Sequence, residues 1–285
     1  MSISVSQIDD KTKDVSAKRK LLSLAPRIGL AADGKYQPSN ASLTERAKYR
    51  NEQQASVFQK NLEAIYKQAL ALTPANVTGA ELDPDWLHHF YNLAETIHNP
   101  KMQELWAKIL TREITSPGHF SIATLKRLTQ LTQKEAQIME KVTSLTCTIN
   151  RDPQVKLLSH YRITGGWRHW LSKSPKQTLN LAKVGIPYSY IVTLIEAGIL
   201  LKQEFETGQL AAKQPVLLDF GLDTLHLTPK HRQLVLGYYR FSLIGNELAQ
   251  LLPPRPQTKQ ANLALSEFLN TDFQITDSTR KINSK

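Results

Sequence analysis

The sequence predicts a mainly α fold with a small β component, in which a helical domain is followed by a winged-helix-like α+β domain. Three observations carry this expectation. Apolar residues recur at three- and four-residue steps from Ala55 to Leu145. Helix-start signals punctuate the same stretch at Asp83-Pro84, Asn99-Pro100 and Thr132-Gln133-Lys134-Glu135. After Gly198 the pattern changes to short runs of strand formers bounded by Gly, Pro and Asp.

Residues 1–40 are polar and aperiodic and read as a mobile basic arm. Ala55, Phe58, Leu62, Ile65 and Ala69 then define one face of a helix over about 43–72, which Thr73-Pro74 ends. After a loop at 74–82, Trp86, Phe90, Leu93, Ala94 and Ile97 form the stripe of a second helix. Met102, Leu105, Trp106, Ile109 and Leu110 line a third, stopped by Pro117-Gly118. Ser121 caps a short helix bearing Ile122, Leu125 and Leu128. The Thr132–Glu135 capping box opens another, with Ala136, Met139, Val142 and Leu145 inward. Residues 41–146 therefore read as one helical domain whose short connections pack sequence neighbours together.

Residues 147–252 read as the winged-helix-like domain. Ile186-Pro187 starts a helix with Ile191, Leu194 and Ile195 inward and Gly198 as its C-cap. Strands are expected over 199–205, 216–220, 225–227 and 234–241, and a helix over 243–252 ends at Pro253-Pro254. The tail, 253–285, is polar except for Leu263, Leu265, Phe268 and Leu269, a cluster suited to docking on the body or on a partner.

The chain has 285 residues, 41% hydrophobic and 21% charged, which excludes a wholly disordered or collagen-like protein. A single cysteine, Cys147, excludes an intramolecular disulfide and suits a reducing compartment. Its small, apolar surroundings suggest a buried structural thiol. The apolar run Leu21–Ala25 is too short for a signal peptide, and no run approaches the ~20 residues of a membrane span. These features together predict a cytoplasmic protein.

Lys and Arg number 36 against 25 Asp and Glu, a net charge of +11. The excess is local. Residues 147–185 hold seven basic side chains against one acidic, whereas 74–99 hold four acidic and no Lys or Arg. The basic stretch is interleaved with aromatics, the combination that neutralises phosphates and stacks on unpaired bases. Lys156, Tyr161, Arg162, Trp167, Arg168, Trp170, Lys173 and Lys176 are the candidate nucleic-acid contacts, with DNA or RNA as partner. The plainer reading is also open: Trp167 and Trp170, three apart, suit one buried helical face with a solvated basic rim.

No catalytic motif appears. The sequence lacks a Gly-x-x-x-x-Gly-Lys loop, a Gly-x-Gly-x-x-Gly turn and a Gly-x-Ser-x-Gly elbow. His88-His89 does not form the i, i+4 pair of a zinc helix, and Asp83 and Asp85 are explained by a helix start. No catalytic residue, metal or cofactor is therefore expected. The leading expectation is a non-enzymatic binding protein. Its alternatives are a protein-interaction or homo-oligomeric module using the helical faces around Trp86 and Trp106, and an unrecognised hydrolase or effector.

One segment resembles a known pattern. It runs Asn99-Pro100-Lys101-Met102-Gln103-Glu104-Leu105-Trp106, then Glu113-Ile114 and Pro117-Gly118-His119-Phe120-Ser121. It is similar to an uncharacterised bacterial family built on a domain of unknown function, over about 85–140 and more weakly around 194–200 and 241–248. The resemblance implies no catalytic residue. A loose relation to abortive-infection-type proteins implies a role in phage defence. Its structural motif here is Trp106, Glu113, Pro117, Gly118, Phe120 and Ser121. Glu113 sits at the edge of an apolar face, so its carboxylate should meet a donor, with the backbone N–H groups of the 117–121 turn as candidates.

Overall fold

The computed structural model describes residues 17–27, 30, 40–75, 81–165, 176–253 and 257–278. Nine α-helices are present among them: α1 Ala17–Arg27, α2 Leu43–Leu72, α3 Pro84–Ala94, α4 Pro100–Thr115, α5 Ile122–Gln130, α6 Gln133–Thr143, α7 Tyr188–Glu196, α8 Leu243–Ala249 and α9 Lys259–Asn270. Eight strands accompany them: β1 Cys147–Ile149, β2 Asp152–Ile163, β3 Lys176–Thr178, β4 Leu200–Glu206, β5 Val216–Asp219, β6 Thr224–Pro229, β7 Leu234–Phe241 and β8 Phe273–Ser278.

The helix starts follow local chemistry. Ser42 and Glu45 satisfy each other's backbone at the head of α2, and Thr132 and Glu135 do the same at α6. Asp83 and Asn99 cap α3 and α4 through their side chains, with proline at the first helical position.

The strands form one antiparallel sheet in the order β4-β7-β2-β1-β5-β6-β8, with β3 also paired to β2. This corrects two expectations. The β component is not small, and the arrangement is a mixed α/β fold in place of a winged helix. The physical reason lies in β2. Its sequence, Asp152-Pro-Gln-Val-Lys-Leu-Leu-Ser-His-Tyr-Arg-Ile163, does not alternate polar and apolar, yet Lys156 to Tyr161 are all buried. The register against β7 slips between Leu158 and His160, leaving Ser159 as an extra residue. Such a bulge reverses which face the following side chains occupy.

The sheet thereby separates two apolar cores. Leu157, Tyr239 and Phe241 face a cluster built with Phe90, Trp106, Leu125, Met139, Ile191 and Leu194. Leu158, Tyr161, Leu234 and Leu236 face the other side, against Leu265, Phe268 and Leu269 of α9. The first cluster joins residues from both sides of the 146/147 boundary. Residues 257–278 are not simply a polar tail: α9 covers one sheet face and β8 pairs with β6. Within 1–40, residues 17–27 are helical, with Ala25 buried.

Trp86 and Trp106 are buried, at 4% and 0% exposure, so the faces that carry them form core and offer no interface. Their neighbourhood is organised by the 117–121 turn. Glu113 accepts hydrogen bonds from the Gly118 and Phe120 N–H groups, the latter at 2.9 Å. Trp86 Nε1 donates to the Phe120 carbonyl at 2.7 Å. Glu247 on α8 accepts from the Ser121 N–H at 2.8 Å and from its hydroxyl. The neighbouring Asn246 accepts from the Val155 N–H at 2.8 Å, carrying the connection into β2. Gly118 occupies φ +82°, a conformation that strains any residue with a Cβ.

Glu113 is 3% exposed and bonds two backbone donors. Replacing it with glutamine exchanges charge-assisted bonds for weaker ones and points an amide at one donor. Glu113→Gln should cost about 1.5–3 kcal/mol in denaturant unfolding. An unchanged midpoint and slope would show that the carboxylate does not hold the turn.

Candidate functional site

The Ser159 bulge places Ser159 and His160 beside each other despite their adjacency in a strand. Across the sheet, His160 pairs with Gly237 of β7, and Gly237 pairs with Glu206 of β4. The His160 ring lies across Gly237 and reaches Glu206, with Nε2 3.2 Å from Oε1. A Cβ added at Gly237 would lie 2.1 Å from the ring. The missing side chain is thus what lets the imidazole span one strand to reach the next.

The other ring nitrogen, Nδ1, is 2.9 Å from Glu204 Oε2 and 3.0 Å from Ser159 Oγ. The Ser159 hydroxyl also donates to Glu204 Oε2 at 3.1 Å. Arg162, two residues after His160, makes two bonds to Glu206, 2.6 Å from Nε and 2.7 Å from Nη2. Bidentate guanidinium–carboxylate geometry is the strong form of this contact.

The electrostatics follow from these contacts. Hydrogen bonding from Arg162, outweighing partial burial, holds the Glu206 carboxyl down at about 2. Burial tends to raise Glu204, but hydrogen bonds from Tyr239 and Ser159, with His160 and Lys176 nearby, keep it below the usual carboxylate range. Burial pushes the Tyr239 phenol up, and its bond to Glu204 adds to this. Displaced titration of several groups in one place is a feature of functional sites.

Beside this cluster a cavity of about 400 Å³ opens. Ser159, Glu204 and Tyr239 supply one polar wall, and Thr178 and Asn180 supply another. Ile186 and Ile191 give an apolar side, and Tyr188, 70% exposed, stands at the lining. The 3₁₀ turn Leu181–Val184 contributes Leu181 and Ala182 and carries the exposed Lys183. Lys176, also exposed, lies on β3 two residues from Thr178 and pairs in register with Arg162.

The eight candidate nucleic-acid contacts are distributed unevenly. Lys156 is buried, bonded to Asp152 at 2.6 Å and to the Gln154 carbonyl, and lies over the Tyr238 ring. Tyr161 is buried at 1% exposure, and its hydroxyl donates to Asp272. Neither is a surface group, because the bulge turns Tyr161 into the α9 core and the buried Lys156 ammonium is held by Asp152 and the Gln154 carbonyl. Arg162 is half-exposed and committed to Glu206, while Lys176 is exposed. Trp167, Arg168, Trp170 and Lys173 lie outside the described residues.

Sequence reading missed Ser159, His160, Glu204, Glu206, Tyr239 and Gly237 as a group. The detectable signal was the broken alternation of 156–162, together with a lone glycine inside an otherwise apolar strand. His160 does not form a dedicated relay for Ser159, since each ring nitrogen also meets a glutamate oxygen. Burial pushes the Cys147 thiol up to about 12, so it is inert at neutral pH. Among the described residues, no three His, Cys, Asp or Glu side chains are arranged to hold a metal ion, and no helix is long and apolar enough to cross a membrane.

Fold and site together define a mixed α/β protein whose sheet carries a partly buried polar cluster beside a cavity. The chain belongs to the family described as "Protein of unknown function (DUF2806)", whose model matches residues 45–263. The matched span contains the 117–121 turn, the bulge and the cavity. No curated protein and no solved structure matches the chain.

Two outcomes test this geometry. Gly237→Ala should destabilise the protein by about 1–3 kcal/mol through overpacking against the ring. The same change made in a His160→Ala background should cost much less, and equal costs in both backgrounds would refute the contact. The second outcome concerns pH. Glu206 is held below its ordinary 4.5, so the stability it contributes is present above that value and is lost as pH falls toward about 2. Glu206→Gln should therefore show a shallower loss of stability across that window in acid titrations followed by circular dichroism.

Proposed function

We propose that the protein binds single-stranded nucleic acid at the cavity beside the Ser159 bulge. The observation that carries this reading is the cavity's division of charge. Exposed Lys176 and Lys183 stand close along the chain to the lining residues Thr178 and Ala182, whereas Glu204 itself lines the cavity. A ligand suited to both has an anionic outer part and a neutral inner part rich in N–H groups. A nucleotide unit of a single strand has that construction, with phosphates outside and an unpaired base free to enter. Tyr188, largely exposed at the lining, offers a ring on which a base can stack. The overall charge of +11 favours the same class of partner by drawing polyanions to the surface.

The test is fluorescence anisotropy with labelled 12-mer single strands of DNA and of RNA at several salt concentrations. Binding should weaken steeply with salt. Replacing Lys176 and Lys183 by alanine together should flatten the logarithmic slope by about 1.4, as expected for two lost phosphate contacts on a single strand. Absence of binding to either nucleic acid at low salt would overturn the proposal.

A further inference from the structure

Resting on the nucleic-acid reading, the geometry points to guanine as the base that this cavity selects. The inner wall is dominated by acceptors. Glu204 Oε2 already receives the Ser159 hydroxyl proton and faces His160 Nδ1, and Tyr239 donates to the same carboxylate. The side chain of Glu204 nevertheless remains 36% exposed, so the carboxylate still offers lone pairs to the cavity. The hydroxyl protons of Ser159 and Tyr239 are spent on Glu204 and are not available to an incoming acceptor.

Base edges differ in what they present to such a wall. Guanine offers two adjacent donors, N1–H and the N2 amino group, which match the two oxygens of a carboxylate. Cytosine and adenine offer one amino group next to a ring-nitrogen acceptor, which a carboxylate repels. Thymine and uracil offer one N–H between two carbonyls. A cationic amine would satisfy the carboxylate, but the positive field of Lys176 acts on the same group and opposes a further cation. Neutral, doubly donating and attached to phosphate, guanine fits every part of the site. The apolar lining contributed by Leu181 and Ala182 suits the face of its ring.

The experiment uses the full chain and 12-mers of oligothymidine and oligouridine carrying one central substitution. Guanine in the central position should bind about tenfold tighter than the unsubstituted strand, the scale of one good bidentate contact. Hypoxanthine, which lacks the N2 amino group, should lose most of that gain, and adenine and cytosine should show little. Glu204→Gln should abolish the preference for guanine over the unsubstituted strand. Equal affinity for all strands would overturn the guanine assignment while leaving nucleic-acid binding intact. No binding to any strand would overturn both. The hypoxanthine comparison uses the unaltered protein, so it decides the question even if Glu204→Gln fails to fold.

Discussion

One extra residue in one strand governs much of this molecule. Without the bulge at Ser159, the alternation set by Leu157 would carry on to Tyr161, and His160 would turn toward α9. The phenol would then crowd the helical core, and the imidazole would be buried against Leu265 and Phe268 without its carboxylates. The bulge instead sends Leu157 to one core and both Leu158 and Tyr161 to the other. It also delivers His160 and Arg162 to the face that carries Glu204 and Glu206. The two cores and the polar cluster are thus consequences of the same local irregularity.

A second constraint joins the helices to this sheet. The 117–121 turn is fastened by Glu113 from α4, Trp86 from α3 and Glu247 from α8. Asn246, next to Glu247, holds the backbone of β2 four residues before the bulge. A short helix following the last central strand therefore reads both the helical layer and the sheet. Buried carboxylates serve here because each accepts more than one backbone or hydroxyl donor, which a neutral side chain of similar size does less strongly.

The helices between Leu43 and Thr143 were legible in the sequence because their signals are local. Proline after Asp83 and Asn99, the capping box at Thr132 and the three- and four-residue apolar spacing all act within a few residues of one another. The partner of Glu113 was legible for the same reason, since the turn it binds is only five to seven residues away. The sheet was not, because its logic is distant. Residues 147–185 looked like a basic surface because the partners of their charges, such as Glu206 for Arg162, lie far away in the sequence. Lys156 is compensated four residues away by Asp152, yet a strand bearing a buried lysine matches no simple periodic pattern. The role of Gly237 depends wholly on a ring 77 positions earlier in the chain. Of the contacts named from the sequence, Lys176 is exposed on β3 and Arg162 is tied to Glu206, whereas the cluster around Ser159 and His160 required the pairing of β2, β7 and β4.

The strand β4 lies at one end of the sheet among the described residues, so one row of its backbone groups is left without a neighbouring strand. Such a row is a template for unwanted pairing with another chain. On β4 it runs past Lys202, Glu204 and Glu206, charged side chains of the kind that blunt an open sheet edge. The acidic residues that shape the cavity therefore also discourage the molecule from zipping onto its own kind. Selection acting on this strand would answer to recognition and to solubility at once, and a change that improved one could compromise the other.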